Sequence, residues 1–353
     1  MTKKFFILLT AFVFALSAFS MAFADAKKTK VKKSAVQTNQ LVTLLPGSDA
    51  VVTIDMQRLM KDALPQILAT NPQIISGMNA KLDEIQSKIG IDLRQFEQLA
   101  IGIAYKKVSA TETDFEPVIL ARGKFNSSAF LGVAKLGSNG KYRQEKIGNR
   151  TIYVFSPKEI LQDNRPQNAN PKTNKIIDRL TKSLSGEIAL TSYDNNTLVI
   201  GTVARLQETF SPKPRVSREL LNLASRKPNA IIGFGANTPD GVSQFVKLEY
   251  DELGKNLDAI RQMYGAFDFT NGNAVLSVTA KSLTAGDAQS LEETVSGLQV
   301  VGKIFLGGAR GDDKKLYAKL LENAVISRKT NEVMLDLQIP QTDVNALVAI
   351  LLK

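Results

Sequence analysis

The chain contains no histidine, no cysteine and no tryptophan among its 353 residues. Without histidine it lacks the usual proton carrier near neutral pH, the commonest zinc ligand, and every Ser-His or Cys-His relay. Without cysteine it has no disulfide framework, no thiol nucleophile and no cysteine-linked lipid. The missing indole weakens the case for a carbohydrate platform, although 17 Phe and 7 Tyr remain. Any catalysis would have to run on carboxylates, lysines or tyrosines.

Long uncharged apolar runs occur in one place only. Lys3 and Lys4 precede an uncharged stretch from Phe5 to Ala24 that closes on Ala22-Phe23-Ala24. A positive start, an apolar middle and a small-x-small end form an export signal, with cleavage expected before Asp25. The alternative is an uncleaved anchor in the inner membrane, because the run approaches the roughly 20 residues that span a bilayer. Five lysines just after it resist translocation by the positive-inside rule. The expected location is periplasmic or extracellular. Removing 24 residues from 353 leaves 329, enough for about two domains.

The formal charge of +11 is unevenly placed. Residues 25–40 hold Lys27, Lys28, Lys30, Lys32 and Lys33 against Asp25 alone, and beyond residue 40 the chain carries 38 basic and 33 acidic side chains. With no aromatic residue and no helical period, residues 25–40 read as a disordered tail. Such a tail suits anionic lipid or an anionic envelope polymer, so peripheral membrane contact through it is one expectation. A solvated spacer is the plainer reading, and no specific nucleic acid is expected.

Two stretches open alike: "SDAVVTI" at residues 48–54 and "PNAIIGF" at residues 228–234. Each starts a strand, and the segments after the two strands run in similar order. After the first come helical spacing broken by Pro65 and Pro72, the hairpin pair "LAIGIAYKKV" and "EPVILARGKF", the helix "NSSAFLGVAKLG", and hairpins turning at "IGNR" and "DNN". After the second come the helical region "GVSQFVKLEYDELGKNLDAIRQMY", a hairpin turning at "TNGN", two helices, the hairpin "VISRKTNEVMLDLQIP" and a last helix. Strand, helix, two strands, helix, strands is the order of the split βαβ motif. The expected fold is therefore α+β: two tandem split-βαβ-like modules with antiparallel sheets and helices packed on them. Residues 41–210 form the first module, 211–228 a linker and 229–353 the second.

Several motifs imitate active sites. "GLQVVGKI", Gly297 to Ile304, stops one residue short of a P-loop, lacking the Ser or Thr that holds magnesium. Leu291, Val295, Leu298, Val301, Ile304 and Phe305 instead continue one apolar helix face, so a packed helix is expected. "SNGK", Ser138 to Lys141, has the S-x-x-K spacing of Ser-Lys acyl enzymes but sits in a turn. "RGD" at Arg310 to Asp312 reads as a loop between helices with Asp312 as the cap. The adjacent pairs Asp251 with Glu252, Glu292 with Glu293 and Asp312 with Asp313 diverge on helix surfaces. Asp55 after the first strand and Asp268 within "AFDFT" stand apart, because one could end near the mouth of a sheet, but nothing in the sequence places them together. The turns "DNN" and "TNGN" do not extend into a calcium loop. No catalytic residue, metal ligand or cofactor is assigned. The candidate polyanion contacts are Lys27, Lys28, Lys30, Lys32 and Lys33 of the tail, with Lys141, Arg143, Lys146 and Arg150 near a hairpin, where they alternate with Tyr142, Ile147 and Tyr153.

At "LLPGSDAVVTIDMQRLM", "KIGIDLRQFEQLAIGI" and "VILARGKF" the sequence resembles uncharacterised exported bacterial proteins of unknown function, mainly over residues 41–155. In these a Pro-x-Ser-Asp-Ala strand leads into a helix and a Gly-Ile-Asp segment precedes the next strand. The matching residues are structural punctuation: Gly90 ends a helix and Asp92 caps the turn "LRQFEQ". The resemblance implies no activity. The sequence thus points to an exported binding or envelope-associated protein whose partner is a protein or an anionic envelope polymer. The alternative is an exported hydrolase using carboxylates in a cleft between modules.

Overall fold

The two similar openings become strands that pair with each other. Strand β1 (Ala50–Asp55) runs antiparallel to β8 (Ile232–Asn237), with Ala50 opposite Ala236 and Ile54 opposite Ile232. The computed structural model of the protein describes residues 40–351 other than 91, 108–112, 157–158, 160–185, 213, 240–242, 244–250 and 309–310. The expected signal and the tail lysines Lys27, Lys28, Lys30, Lys32 and Lys33 lie outside the described residues.

The described chain divides into two compact units, each an antiparallel sheet with helices on it, as expected of an α+β protein. One contains Gln40–Ser48 and Lys81–Ser217, the other Asp49–Ala80 and Arg218–Lys353. The unit boundaries differ from a simple tandem division, because residues 49–80 go with the C-terminal half. The backbone ladder between β1 and β8 accounts for this, and adjacency in sequence gives no sign of it.

In the first unit β2 (Phe96–Lys107), β3 (Thr113–Gly123), β4 (Tyr142–Ile147), β5 (Arg150–Phe155), β6 (Ile188–Asp194) and β7 (Thr197–Gly201) take the order β2-β3-β7-β6-β5-β4. Helix α1 (Pro72–Ile89) leads to this sheet and stops where Gly90 takes φ 68°. Asp92 then caps a short 3₁₀ turn by accepting the Arg94 N–H at 3.0 Å. Burial pushes the Asp92 carboxyl up, but hydrogen bonds from the Arg94 side chain and backbone and its positive charge outweigh it and hold the carboxyl below its usual value. Helix α2 (Ser127–Gly137) is capped by Asn126, which accepts the Ala129 N–H at 2.9 Å. Its Leu131 meets Ala121, Phe155, Leu190 and Leu198 in a core ringed by Phe96, Phe125 and Phe130.

Helix α3 (Val203–Phe210) carries a buried cation. Arg205 is 1 % exposed and donates to the Gly47 carbonyl and the Ser48 hydroxyl, each at 3.0 Å, while pairing with Glu208. It stitches the Pro46-Gly47-Ser48 turn to the helix. Arg215 does the same next door, donating to Leu44 O at 2.9 Å and Thr209 O at 2.8 Å.

In the second unit β9 (Ile260–Thr270), β10 (Asn273–Ser282), β11 (Val325–Lys329) and β12 (Glu332–Pro340) complete the order β11-β12-β10-β9-β8-β1. The hairpin between β9 and β10 turns on Asn271 and Gly272, both with positive φ, as an Asn-Gly turn requires. The helical reading of "DAIRQMY" is corrected, since β9 begins at Ile260. The alternating burial of Ile260, Gln262 and Tyr264 is the period of a strand. Residues 56–67 are helical with a π turn over Leu59–Ala63, which ends two residues before Pro65, a residue that cannot donate a backbone hydrogen bond.

Helix α4 (Arg218–Ala224) lies close on β8 because that strand presents glycine to it. A Cβ on Gly233 would stand 2.3 Å from the Ala224 carbonyl oxygen, and one on Gly235 2.7 Å from Leu223 Cβ. Helix α5 (Asp251–Asp258) precedes β9, and helix α6 (Ala285–Gly307) opens with a capping box between Thr284 and Asp287. The first half of α6 packs Ala288, Leu291 and Val295 against Ile260 and Val333. Helix α7 (Asp312–Glu322) has Gly311, not Asp312, at its N-cap, so Asp312 sits in the first turn rather than capping it. Helix α8 (Gln341–Leu351) ends the described chain and buries Val344 and Val348.

Candidate functional site

The two carboxylates best placed for chemistry meet the same arginine. Asp55, at the end of β1, accepts the Arg58 backbone N–H at 2.9 Å and so caps the helical stretch beyond it. Asp268, on β9, accepts the Arg58 guanidinium at 2.9 Å and the backbone N–H of Phe269 at 2.8 Å. Arg58 also donates to the Asn229 carbonyl. Each aspartate therefore turns lone pairs toward a helix cap or a cation, the arrangement of a structural clamp rather than of a shared proton. Among the described residues no group of three or more His, Cys, Asp or Glu is placed to hold a metal ion.

The other imitators fall into structural roles. Ser138 is buried and its hydroxyl donates to the Lys135 carbonyl at 2.7 Å, in the turn that Asn139 and Gly140 make with positive φ. That hydroxyl satisfies the end of α2 and is not presented to a substrate. Gly297 to Ile304 lies wholly within α6, so no strand-to-helix loop cradles a phosphate there. Glu292 accepts from Ser296 and Glu293 from Gln289, so the two carboxylates diverge as expected. Arg310 of "RGD" lies outside the described residues.

The hairpin cations are not gathered on one surface. Arg143 and Lys146 are three apart on β4 and point to opposite faces. Arg143 pairs with Glu145 at 2.7 Å and with Glu187. Arg150 lies 4.5 Å from the Phe210 ring centroid and 5.7 Å from that of Tyr193, and donates to the carbonyls of Ser192 and Tyr193. Lys141 and Lys146 are exposed. Alternation in sequence suggests a single charged face; the neighbours Glu187, Tyr193 and Phe210, distant in sequence, take up the two arginines instead.

Two further features have no signature in the sequence. A shallow depression of about 670 Å3 is lined by Gln95, Glu97, Gly123, Lys124, Phe125, Asn126, Asn195 and Asn196. Its charges pair with each other, Lys124 to Glu97 at 3.3 Å, and its Asn126 is the cap of α2. On the other unit Arg226 stacks 4.2 Å from the Tyr264 ring centroid, donates to its hydroxyl, and lies 3.5 Å from Glu332. Burial pushes the Tyr264 phenol above its usual value, against an opposing hydrogen bond with Thr279. In each the charged side chains are paired with one another, Lys124 with Glu97 and Arg226 with Glu332.

What stands out is the second half of α6. Gln299 donates to the carbonyls of Leu321 and Ala324, and Gly302 lets Leu321 of α7 approach to where a Cβ would be only 2.9 Å away. That contact fixes which side of the helix faces inward. The opposite side carries Val300, Val301, Ile304 and Phe305, which are 54 %, 63 %, 73 % and 75 % exposed. The continuous apolar helix face expected from the sequence is thus corrected: Leu291 and Val295 pack inward, whereas Val301, Ile304 and Phe305 point to solvent. At 100° per residue the exposed four fall on one arc, on the side of the helix away from Leu291, Val295 and Gly302.

No protein-family model matches the chain. No curated protein matches it either. Among solved structures it is similar to crystal forms III, IV and I of TP0453, at 8 % sequence identity in each case. The TM-scores are 0.43, 0.44 and 0.40, with 91 %, 89 % and 88 % of this chain and 98 %, 96 % and 96 % of the other covered.

Proposed function

We propose that this is an exported, non-catalytic binding protein associated with the cell envelope, built from two tandem split-βαβ-like copies. The observation that carries the reading is the outward half of α6, where four large apolar side chains share one exposed arc. Scattered single apolar residues are ordinary on a surface, whereas a contiguous group of this size marks a contact with something outside the chain. The carboxylates an exported hydrolase would use, Asp55 and Asp268, hold Arg58 instead. Duplication is supported by the parallel element order, β1 to β5 with its helices and β8 to β12 with its own, and by the similar sequences of β1 and β8. Export is supported by the composition of residues 1–24.

The test is a thermal-shift panel on the chain from Asp25 onward against divalent cations, nucleotides, cell-wall fragments and anionic polymers, at low and high salt. A ligand that binds only the folded state raises the melting temperature. The expected result is no shift from any small ligand, with at most a salt-sensitive shift from the polymers. A salt-insensitive shift from one small molecule would reveal a formed pocket and return the hydrolase reading.

A further inference from the structure

We propose that the outward half of α6 settles on an anionic lipid surface. This rests on the reading of the protein as an envelope-associated binder and names what it binds. The helix is built in two halves: its first half is held by the sheet through Leu291 and Val295, its second by α7 through Gln299 and Gly302. Val300, Val301, Ile304 and Phe305 are thereby presented on a rigid scaffold, on the side away from both supports.

Charge favours lipid of negative sign. From Thr294 to Gly311 the chain has no acidic residue, and its only charges are Lys303 and Arg310. Asp312 and Asp313 come next, matched in number by Lys314 and Lys315. The half of α6 that bears the patch carries Lys303 and no carboxylate, whereas Asp287, Glu292 and Glu293 lie in the half that packs on the sheet. An apolar face flanked by a cation suits the boundary between headgroups and acyl chains, where each buried apolar group and each nearby cation adds to binding.

Area argues against a second copy of the chain as the occupant. Four side chains of this size and exposure present on the order of 500 Å2, below the roughly 800 Å2 per partner of a stable protein interface. A bilayer needs no shape-complementary rim, so a small apolar wedge with flanking charge suffices for reversible attachment.

The absence of tryptophan makes the test direct, because Phe305→Trp gives the chain a single indole within the patch. The chain from Asp25 onward carrying Phe305→Trp is mixed with phosphatidylcholine vesicles, with and without added phosphatidylglycerol. The expected result is a blue shift of the emission and protection from aqueous quencher, both stronger with phosphatidylglycerol. Adding Ile304→Glu should lower the vesicle-bound fraction about tenfold or more. Leu136→Trp, on the other unit and 78 % exposed, should show no shift. No shift of the Phe305→Trp emission on either vesicle overturns the proposal, and an equal shift on both overturns its anionic part. A shift that grows with protein concentration in the absence of vesicles, together with a larger hydrodynamic size, overturns it in favour of a second copy. None of these failures produces a salt-insensitive small-ligand shift, which is what would overturn the broader reading.

Discussion

Replacing Arg205 by alanine is expected to destabilise the protein by about 3 kcal/mol, a fall of roughly 6–12 °C in the melting temperature of a unit this size. The guanidinium is almost wholly buried and bridges two points of one turn, the Gly47 carbonyl and the Ser48 hydroxyl. Alanine leaves that carbonyl without this donor and opens a void where a long side chain only 1 % exposed had been. The loss should not reach the upper end for a broken buried pair, because Glu208 is 36 % exposed and regains water once its partner is gone. Arg205→Met restores the volume without the donors and should recover about half of the loss. Arg205→Lys should recover little, since a single ammonium on a flexible stem does not reproduce the two-armed bridge. Calorimetric unfolding of the three variants checks the order. A loss under about 1 kcal/mol for alanine would show that the cation is solvated and the turn held by other contacts.

Gly233→Ala should cost nearly as much, about 3 kcal/mol. The added methyl would lie 2.3 Å from the Ala224 carbonyl oxygen, and that oxygen belongs to the backbone of α4 and cannot rotate aside. Either α4 lifts from the sheet or β8 shifts, and β8 also holds β1. Gly235→Ala meets Leu223 Cβ at 2.7 Å and should be similarly costly. Gly254 provides the opposite sign within the same unit: it lies inside α5, the nearest atom to its Cβ would be Ser243 Cβ at 3.6 Å, and alanine there should stabilise by about 0.5 kcal/mol. Denaturant unfolding of the three variants separates tight approach from backbone entropy. If Gly233→Ala and Gly254→Ala moved stability in the same direction, the close packing of α4 on β8 would be wrong.

The sequence carries local structure well and long-range placement poorly, and particular residues show why. Asn126, Gly90, Asp92 and the Asn-Gly turn at 271–272 act within a few residues of themselves, so caps and hairpins can be read from composition and spacing. The α+β class rests on the same signals. The pairing of β1 with β8 joins residues about 180 positions apart, and the likeness of "SDAVVTI" to "PNAIIGF" suggests two equivalent strands without saying that they are partners. Helix α6 shows the other limit. Its apolar residues recur with helical period, but the period does not say which of two apolar arcs meets the sheet. Gly302 and Gln299 decide that, through a helix that comes later in the chain. Nothing in the sequence marks Arg205 as buried, and only the distant turn at 46–48 reveals it; Arg150 stays exposed, but the rings of Tyr193 and Phe210 that it lies against are far from it in sequence. Asp55 and Asp268 stand out together as carboxylates, but the residue linking them, Arg58, carries no signal beyond lying three residues after Asp55.

The decisive measurement is the thermal unfolding of the chain carrying Ile304→Glu and Phe305→Glu together. If the outward half of α6 is a surface kept for an outside partner, two buried-type residues become charged at no cost to the fold. The melting temperature should stay within about 2 °C of the parent. A fall of about 8 °C or more would mean that these side chains are covered within the molecule itself, and the proposed contact surface would not exist.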